Sequence, residues 1–515
     1  MSDIERLGSA VASVALFGGA ATRRIEGAAL AGVAPFTLMA RAGDAVARLA
    51  LAVAPHAERT VVFAGPGNNG GDGIEAATRL AALGKRALVV RAGARTTLPT
   101  DAAHALQRAK SARIDIRDWA SIGDVRADLV IDGLLGIGAT RAPEGDIAAA
   151  IGSIAELAAN GAHVLAIDVP SGLDVDRGQP IGASCVVAHD TLTLMAAKPG
   201  LFTGSGRDHA GRVWCAPIGV EAGDTEPDAR LVGMRDGSCM AERRRHAAHK
   251  GSFGDVVVVG GAPGMEGAAW LAARAAHAAG AGRVFVDIVR SVHAGEHDGA
   301  PRATLDPVRP ELMARPGWSD GDAAVVAAAT VVCGCGGGDA VRAPLPRLLS
   351  LATRLVVDAD ALNAIAADAS LLALVAARAA RGLATILTPH PLEAARLLGS
   401  TTAAVQSDRV AAGRELAARF RAVVVLKGSG TIVAAPGKVP RINATGNASL
   451  ASAGTGDVLA GWMGGRWATA DERIAPLDVA TRAVIEHGAA AEPERSGAVR
   501  AADLIETMHL RSRGG

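Results

Sequence analysis

Residues 60–84 read TVVFA, GPGNNGGDG and IEAATRLAALG in succession, and this stretch decides the fold class. A β-branched run is followed by a glycine-rich turn and then by an Ala- and Leu-rich run of helical character. That order is typical of the strand–turn–helix unit of a parallel sheet with helices on both faces. Glycines in such a turn let the backbone at the helix start approach a ligand's phosphate. The stretch therefore predicts an α/β protein.

The same alternation of apolar and helical runs continues along the whole chain. Strands of the first half are predicted at 60–64, 86–91, 127–132, 163–168 and 190–195. Strands of the second half are predicted at 255–261, 283–289, 328–334, 354–360, 384–390 and 422–428, with a hairpin over 431–444. The polar stretch 221–249 interrupts this rhythm, and its basic run at 243–245 is interpreted as a solvated linker. We therefore predict two α/β domains, 1–228 and 229–515, each with its own site.

Charge and composition exclude several classes of protein. Lys+Arg 53 against Asp+Glu 52 leaves a net charge of +1, which gives no electrostatic basis for binding nucleic acid or an anionic membrane. No run reaches the roughly 18 apolar residues of a membrane span, and MSDIERLGSA lacks the apolar core of a signal peptide. Five scattered cysteines, Cys239 among them, match no zinc or disulfide pattern. We expect a cytoplasmic, homo-oligomeric protein whose partners are small molecules.

Polar side chains cluster at the predicted strand ends of the first half. Asn69 and Asp72 follow the first strand, Asp132 and Asp168 close two later strands, and Ser171 comes shortly afterwards. Ligands of open parallel sheets bind outside the carboxyl ends of the strands, so these groups are predicted to share one rim. Their oxygen atoms suit a hard cation, and a carboxylate left over can act as a general acid or base.

Two other interpretations of the first half stay open at this point. Gly65, Gly67 and Gly70 match the G-x-G-x-x-G spacing of dinucleotide-binding turns, which Rossmann-type dehydrogenases also contain. Arg91 ends the next strand, where it would favour a phosphorylated ribose. Alternatively, the Asn and Asp residues only cap helices and shape turns.

The strongest signal of the second half is NASLASAGTGDVLAG at 447–461. The turn of Gly454, Thr455 and Gly456 would place free N–H groups at a helix start, which is an anion-binding arrangement. Asp457 follows at once, where it could accept the proton of a hydroxyl that attacks a phosphate. The pattern indicates phosphoryl transfer to an alcohol; the alternative is an acid favoured only by the helix dipole.

Other candidates in the second half lie at strand ends and glycine turns. The KGSGT run that starts at Lys427 follows a buried strand and is a candidate nucleotide contact. His390 stands between two prolines, which would hold it rigidly as a ligand, although a lone histidine is often structural. The GCGGG turn at 334–338 is a third place where a phosphate or ring could approach. Cys333 and Cys335 are interpreted as small buried residues.

Together these motifs resemble the bifunctional NAD(P)H-hydrate repair enzymes. The motifs that resemble the epimerase domain are GPGNNGGDG, DGLLGIG, IDVPSGLD and AAKPG. Those that resemble the ADP-dependent dehydratase domain are KGSFGDVVVVGG, VVDADALN, TPHPLEAARLL, LKGSGT and ASAGTGDVLAG. The resemblance implies a Rossmann-like three-layer parallel-sheet domain followed by a ribokinase-like α/β domain. It implies epimerisation of R- and S-NAD(P)H-hydrate by the first domain. It also implies ADP-dependent dehydration of the S-hydrate to NAD(P)H, AMP and phosphate by the second.

The resemblance also implies site residues, with Asp168 and Asp457 catalytic. The hydrate in the first domain would contact Asp168 together with Asn68, Asn69, Gly70, Gly71, Asp72, Gly136, Ile137, Gly138, Ala139, Thr140, Arg141 and Ala142. A potassium ion would be held by Asn69, Asp132 and Ser171. The hydrate in the second domain would contact Ala269, Gly336, His390 and Asp457. ADP, with Mg²⁺, would be held by Lys427, Gly428, Ser429, Gly430, Thr431, Asn447, Gly454, Thr455 and Gly456.

Three positions depart from the family pattern. Ala40 stands where an acid is common, GCGGG at 334–338 replaces a GPGLG turn, and NASL at 447–450 replaces an N-P-G-hydrophobic run. Two rival functions are a small-molecule kinase of the ribokinase class, which shares the GTGD turn, and a non-catalytic nucleotide sensor. A kinase would release a phosphorylated product, and a sensor would bind dinucleotide without turnover. The choice between ADP and ATP stays open.

Overall fold

The computed structural model describes residues 4–93, 97–123, 125–237, 246–290, 305–492 and 497–513. The predicted linker run at 243–245 and Cys239 lie outside these ranges. The chain divides into two compact units. The first comprises the described parts of Met1–Gly8 and Val14–Leu231, and the second those of Ser9–Ser13 and Val232–Gly515.

The first unit is built on a mostly parallel sheet. Its strands are β1 Glu5–Leu7, β2 Val14–Leu16, β3 Arg59–Ala64, β4 Arg86–Arg91, β5 Asp115–Asp118, β6 Leu129–Gly133, β7 His163–Ile167, β8 Asp190–Leu194, β9 Arg212–Ala216 and β10 Ala229–Val232. Its helices are α1 Gly19–Leu30, α2 Thr37–Val53, α3 Asn68–Ala82, α4 Thr100–Ser111, α5 Gly145–Ala159 and α6 Gly206–Ala210. Eight strands pair in the order β1-β9-β8-β7-β6-β3-β4-β5, and only the β1–β9 contact is antiparallel. β2 pairs with β10.

Alternating side chains of β3 show why this sheet has helices on both faces. Val62 and Ala64 join the apolar core that also contains residues of α2, α3 and α4. Val61 and Phe63 point the other way, into a core shared with α5. A strand that is apolar at every position must be covered on both sides, so the unit has three layers. The strand order reverses between β3 and β6, and ligands of open α/β sheets bind at such a point.

The second unit contains a longer mixed sheet. Its strands are β11 Asp255–Gly260, β12 Arg283–Ile288, β13 Met313–Ala314, β14 Thr330–Cys333, β15 Arg354–Val357, β16 Ala384–Leu387, β17 Val423–Leu426, β18 Ile432–Ala434 and β19 Arg441–Asn443. Its helices are α7 Met234–Gly237, α8 Glu266–Ala278, α9 Ala323–Ala328, α10 Leu345–Leu351, α11 Ala359–Ala366, α12 Ala369–Arg378, α13 Pro391–Leu398, α14 Thr402–Ser407, α15 Arg409–Phe420, α16 Thr455–Thr469, α17 Pro476–Ala489 and α18 Ala501–Arg513.

Its strands follow the order β13-β12-β11-β14-β15-β16-β17-β18-β19. The pairs from β13 to β17 are parallel, and β17, β18 and β19 are antiparallel, which matches the predicted hairpin. Helices α8, α16, α17 and α18 contribute to the apolar core on one face. Across the described residues, no single helix has the length and apolar character to cross a membrane. The bent pair Ala359–Ala366 and Ala369–Arg381 meets those two criteria only when its two helices are taken together.

The structure differs from the sequence prediction at the start of α3. The prediction placed NNGGDG in a loop before a helix at 73–84, whereas α3 begins at Asn68. A Cβ on Gly70 would lie 2.0 Å from the Gly65 carbonyl oxygen, and one on Gly65 would lie 1.8 Å from the Leu134 oxygen. These close approaches let the chain pass directly from β3 into the helix. The polar run therefore forms the first turns of α3.

Candidate functional site

The three predicted cation ligands of the first unit meet around the loop that follows β6. The Ser171 hydroxyl donates to Oδ1 of Asp132 at 2.6 Å, and the Ser171 backbone N–H donates to Oδ2 at 2.8 Å. The Leu135 N–H donates to the Ser171 hydroxyl at 2.8 Å, and the Asn69 amide donates to the Leu135 carbonyl at 2.9 Å. Asn69 and Ser171 thus both contact the Leu135 backbone, and Ser171 links it to Asp132, at the point where the strand order reverses.

The Asp132 carboxylate is fully buried. Burial raises its pKa to about 6, although the hydrogen bonds from Ser171 and Leu134 act in the opposite direction. Among the described residues, no Lys, Arg or His forms an ion pair with it. A buried carboxylate without a cationic partner, next to amide and hydroxyl oxygens, has the chemistry that suits a hard, weakly charged cation. The residues present therefore fit the predicted potassium ion.

Asp168 forms a buried ion pair beside this loop. Its backbone has φ +67°, and the residue is 6% exposed. The ammonium group of Lys198, which has no exposed surface, contacts Oδ1 of Asp168 and donates to the Leu194 carbonyl at 2.7 Å. The Leu194 N–H also donates to the same carboxylate oxygen at 3.2 Å. A carboxylate that follows β7 and an ammonium group that follows β8 are thus in direct contact.

Two further acids face this pair. Burial, and then the charge of Asp168, raise the pKa of Glu26 in α1. The same two causes raise the pKa of Asp72 well above its usual range, with Glu26 contributing. Glu26 and Asp72 therefore both interact with the charge of Asp168, and both have raised pKa values. Perturbed carboxyl groups gathered around one buried ion pair make this a candidate acid–base site.

The other predicted dinucleotide contacts lie along α3 and the loop after β6. Gly70 and Gly71 are buried by packing, because a Cβ on Gly71 would lie 2.5 Å from Cε of Met39. Gly67 differs, since a Cβ there would meet nothing within 4 Å, so a ligand can approach the backbone at this position. Asn68 is exposed at the helix start. The loop residues Gly136, Ile137, Gly138, Ala139, Thr140, Arg141 and Ala142 are half-buried or exposed.

The GTGD turn of the second unit has the predicted form. Gly454 has φ +87°, and α16 begins at Thr455. The Thr455 hydroxyl donates to the carbonyls of Leu450 and Ser452 at 2.8 and 2.9 Å. His487 lies 2.9 Å from the Thr455 carbonyl through Nε2, and burial lowers its pKa to about 4, so it is a neutral donor. The N–H groups of the first turn of a helix have no intrahelical acceptor, and here they can bind an anion.

Asp457 lies in a compact polar cluster at this turn. Ligand atoms of Cys335, Asp358 and Asp457 lie within 4.8 Å of one another. Lys427 donates to Oδ1 of Asp358 at 2.7 Å, and its ammonium would lie 3.4 Å from a Cβ on Gly456. Burial and the charge of Asp358 raise the pKa of Asp457 to about 6, against the effects of Cys335 and Lys427. Asp457 is therefore a carboxyl group whose proton affinity suits a general base.

This cluster does not suit Mg²⁺. One of its corners is the thiol of Cys335, whereas Mg²⁺ takes oxygen ligands in near-octahedral geometry. The ammonium of Lys427 already neutralises Asp358. The groups are therefore better described as a proton-transfer site beside an anion-binding turn.

His390 caps a helix in addition to facing this cluster. Its Nδ1 accepts from the N–H groups of Leu392 and Glu393 at 3.1 and 3.3 Å, so the proton of the neutral ring is on Nε2. The Glu393 carboxylate accepts from the His390 N–H at 2.7 Å and completes a capping box for α13. The side chain is 45% exposed, and Nε2 lies 3.2 Å from Oε1 of Glu393. Burial and Lys427 lower the pKa of His390. Both ring nitrogens therefore contact α13, and the exposed part of the ring is the part that a ligand can reach.

The remaining predicted contacts of the second unit differ in their exposure to solvent. Gly428, Ser429 and Thr431 of the KGSGT run are exposed or half-buried, whereas Gly430 is buried. Gly336, with φ +59°, is half-buried in the GCGGG turn. Asn447 uses its amide to cap the turn Ala448–Leu450, accepting from the Ser449 N–H at 3.0 Å. Ala269 of α8 is fully buried, and a Cβ on Gly261 would lie 3.0 Å from its Cβ; its contact with the hydrate stays a prediction.

Known proteins match both units of the chain. A family model described as NAD(P)H-hydrate dehydratase matches residues 256–509, and one described as YjeF-related protein N-terminus matches residues 35–200. The bifunctional NAD(P)H-hydrate repair enzyme Nnr of Escherichia coli is 34% identical over 492 residues, covering 94% of this chain and 90% of that protein. This chain belongs to the bifunctional NAD(P)H-hydrate repair enzymes. The family resemblance predicted from the motifs is confirmed.

Two further proteins are similar to this chain. The enzyme Nnr of Coxiella burnetii is 34% identical over 471 residues, covering 90% of this chain and 91% of that protein. A crystal structure of ADP/ATP-dependent NAD(P)H-hydrate dehydratase from Bacillus subtilis, co-crystallised with ATP and Mg²⁺, is 27% identical with a TM-score of 0.42, covering 54% of this chain and 95% of that chain. The α/β fold class, Rossmann-like in the first unit and ribokinase-like in the second, is confirmed by the two family models and by the sheets described above.

Four residues that the structure places at the two candidate sites have no role in the sequence prediction. Lys198, in the AAKPG motif, follows the strand predicted at 190–195, and Asp358, in VVDADALN, lies near the end of the one predicted at 354–360. The strand-end argument used for Asp132 therefore applied to both. His487 and Glu26 carry no such signal, because each lies within a helix far from the motif it contacts.

The double role of His390 gives a testable prediction. We expect His390→Ala to lower the free energy of unfolding by about 0.5–2 kcal/mol, because α13 loses its cap. His390→Asn should restore this stability, since Asn also caps helices, but not the exposed ring edge. The KM for the hydrate should therefore be raised in both variants, as steady-state kinetics and chemical denaturation would show. A wild-type KM in His390→Asn would make the residue purely structural.

Proposed function

We propose that the domain at 1–228 interconverts R- and S-NAD(P)H-hydrate and that the domain at 229–515 uses ADP to dehydrate the S-hydrate to NAD(P)H. The observation that supports this most directly is the presence of two distinct proton-transfer sites in one chain of the family. One is the buried pair of Asp168 and Lys198 at the ends of β7 and β8. The other is Asp457 at the anion-binding turn of α16. The homo-oligomeric state and the cytoplasmic location stay predictions.

The first site would catalyse inversion at the ring carbon that carries the hydroxyl. A proton added to the hydroxyl lets it leave as water, and the electron pair of the ring nitrogen stabilises the cation that remains. Water then adds to the opposite face of the ring and returns one proton to the protein. Asp168 is the group that exchanges this proton, and Lys198 holds its side chain in place through their direct contact. The loop 136–142 and the first turns of α3 bind the dinucleotide.

A potassium ion would be held by Asn69, Asp132 and Ser171. When bound, it supplies a positive charge beside the dinucleotide phosphates and fixes the loop after β6. Asn69 and Ser171 contact the Leu135 backbone, and Ser171 also bonds to the Asp132 carboxylate. One carboxylate with neutral oxygens is a donor set that balances a monovalent rather than a divalent ion.

This assignment predicts potassium-dependent epimerisation. Asp132→Ala should lower the apparent affinity for K⁺ by at least about 10–100-fold, because the only charged ligand is lost. The rate of R/S interconversion and the thermal midpoint should both respond to K⁺ in the wild type and not in the variant. Asp128→Ala is the matched control, since Asp128 precedes the same strand and pairs with Arg59 instead. Full epimerase activity and no thermal shift without K⁺ and Na⁺ would contradict the assignment.

The second site would convert a poor leaving group into a good one. The hydroxyl oxygen of the S-hydrate attacks the β-phosphorus of ADP, Asp457 accepts the hydroxyl proton, and AMP leaves. The phosphate ester then departs as inorganic phosphate, and the neighbouring ring carbon loses a proton, which restores the double bond of NAD(P)H. The N–H groups at the start of α16 and the ammonium of Lys427 stabilise the phosphate charge. Mg²⁺ bound to the nucleotide would neutralise part of that charge.

One assay tests both activities with the full chain. Purified protein is incubated with mixed R- and S-NADH-hydrate and with ADP, ATP or no nucleotide. Without nucleotide we expect the R/S ratio to equilibrate. With ADP we expect the whole mixture to become NADH, followed by its absorbance, with equal amounts of AMP and orthophosphate. A stable phosphorylated product would favour a kinase instead, and binding without turnover would favour a sensor.

A further inference from the structure

The backbone of Cys335 is fixed on all sides. It lies between Gly334, with φ +120°, and Gly336, with φ +59°. Its carbonyl accepts from the Gly261 N–H at 2.9 Å, and a Cβ on Gly260 would lie 2.3 Å from that oxygen. The residue has no exposed surface. The backbone of the turn therefore fixes the direction of the Cα–Cβ bond of Cys335.

The thiol meets the Asp457 carboxylate. Sγ of Cys335 lies within 4.8 Å of a carboxylate oxygen of Asp457 and of one of Asp358. Oδ1 of Asp358 already accepts from Lys427 and from the Thr388 hydroxyl, so the Asp457 carboxylate is the less occupied acceptor beside the thiol. Burial and the two nearby acids raise the pKa of Cys335 well above its usual range. The sulfur therefore keeps its proton at neutral pH, and in this contact it is the donor and the carboxylate the acceptor.

We propose that Cys335 is a positioning residue of the dehydratase, whose S–H group holds the Asp457 carboxylate in the orientation that accepts the substrate proton. The inference rests on the proposed function, in which Asp457 is the base. A thiol is a weak donor, so it can orient one carboxylate oxygen without giving up its proton and without filling the site with a counter-charge. The only ammonium group among the described residues of this cluster, that of Lys427, is bonded to Asp358.

Four groups face Asp457 from the surrounding elements. Asp358, after β15, and Asp360, in α11, disfavour its ionised form, whereas Lys427, after β17, and Cys335, after β14, favour it. Removing the thiol leaves the two like charges opposed by Lys427 alone. The ionised, proton-accepting form of Asp457 should then need a higher pH.

Two substitutions and a control test the role in catalysis. Cys335→Ala should lower kcat about 2- to 10-fold, the value of one lost hydrogen bond, and move the acid limb of the kcat profile upward by a few tenths to about one pH unit. Cys335→Ser replaces the donor and should return the limb to the wild-type position or below it. Cys333→Ala removes an equally buried thiol in β14 and should leave the profile unchanged. An acid limb that does not move in Cys335→Ala would overturn the proposal.

An infrared measurement separates this inference from the proposed function. The wild-type minus Cys335→Ala difference spectrum isolates the S–H stretching band of Cys335. In Asp457→Ala this band should shift to the higher frequency of a thiol without an acceptor. A band that stays in place would show that Cys335 does not donate to Asp457, whatever the reaction is. Wild-type turnover in Asp457→Asn, with the band shift still present, would instead reject Asp457 as the base and with it the role of Cys335 in catalysis.

Discussion

Asp457→Asn should reduce turnover of the S-hydrate by about 10²–10⁴-fold while ADP still binds, because an amide of the same shape cannot accept the hydroxyl proton. The N–H groups at the start of α16 and the Lys427 ammonium, which bind the phosphates, are untouched by this change. Calorimetric ADP binding and NADH formation under saturating substrate measure the two effects separately.

The epimerase reaction of the same chain is the internal control for this variant, since its proposed residues lie in the other unit. The wild type adds a second readout: because the pKa of Asp457 is raised to about 6, turnover should fall as the pH drops through that value and the base becomes protonated. Turnover of Asp457→Asn near the wild-type level, or wild-type turnover that is the same on both sides of pH 6, would remove Asp457 from the mechanism.

The strands and turns that carry both sites could be predicted, because a strand pattern, whether alternating or fully apolar, and a turn signal each lie within a few consecutive residues. TVVFA and GPGNNGGDG are sufficient to place Asn69 at a strand end, and the structure agrees. Contacts between strands are not local. The ion pair of Asp168 with Lys198 needs β7 beside β8, and that of Lys427 with Asp358 joins the ends of β17 and β15, which are not adjacent in the sheet.

Short polar residues pose a second difficulty, because a cap and a ligand look alike in a sequence. Asn447 and His390 both accept from backbone N–H groups at the start of a helical turn. Helix starts need such acceptors wherever they lie, and anion sites favour the same positions. Only the exposed edge of the His390 ring, read from the structure, separates the two roles there.

The surroundings of Ala269 and Cys335 could not be predicted from the sequence. Both side chains are fully buried. Ala269 packs near Gly261, whereas Sγ of Cys335 lies within 4.8 Å of the Asp457 carboxylate. Whether one buried side chain contacts a functional group depends on the packing of several chain segments, which no local sequence pattern encodes.

Asp168→Asn should lower R/S interconversion by about 10²–10⁴-fold and leave ADP-dependent dehydration of the S-hydrate intact. Asn tolerates the positive φ of this position and can still accept a hydrogen bond from Lys198, so the fold should be kept. The loss would then be chemical. Chromatographic separation of the two epimers, without nucleotide, measures the rate directly.

Asp168→Ala and Lys198→Met are the matched partners of that variant, because they remove the hydrogen bond between the two side chains as well as the charge pairing. Removing either partner leaves the other charge uncompensated in the interior, which typically costs about 3–5 kcal/mol. Both should therefore lose the epimerase activity and lower the unfolding midpoint of the first unit by more than Asp168→Asn, which keeps an acceptor for the Lys198 ammonium. If Asp168→Asn epimerised the hydrates at the wild-type rate, the pair would be a structural ion pair, and the proton exchange would have to be assigned to Asp72 or Glu26, the other acids that face it.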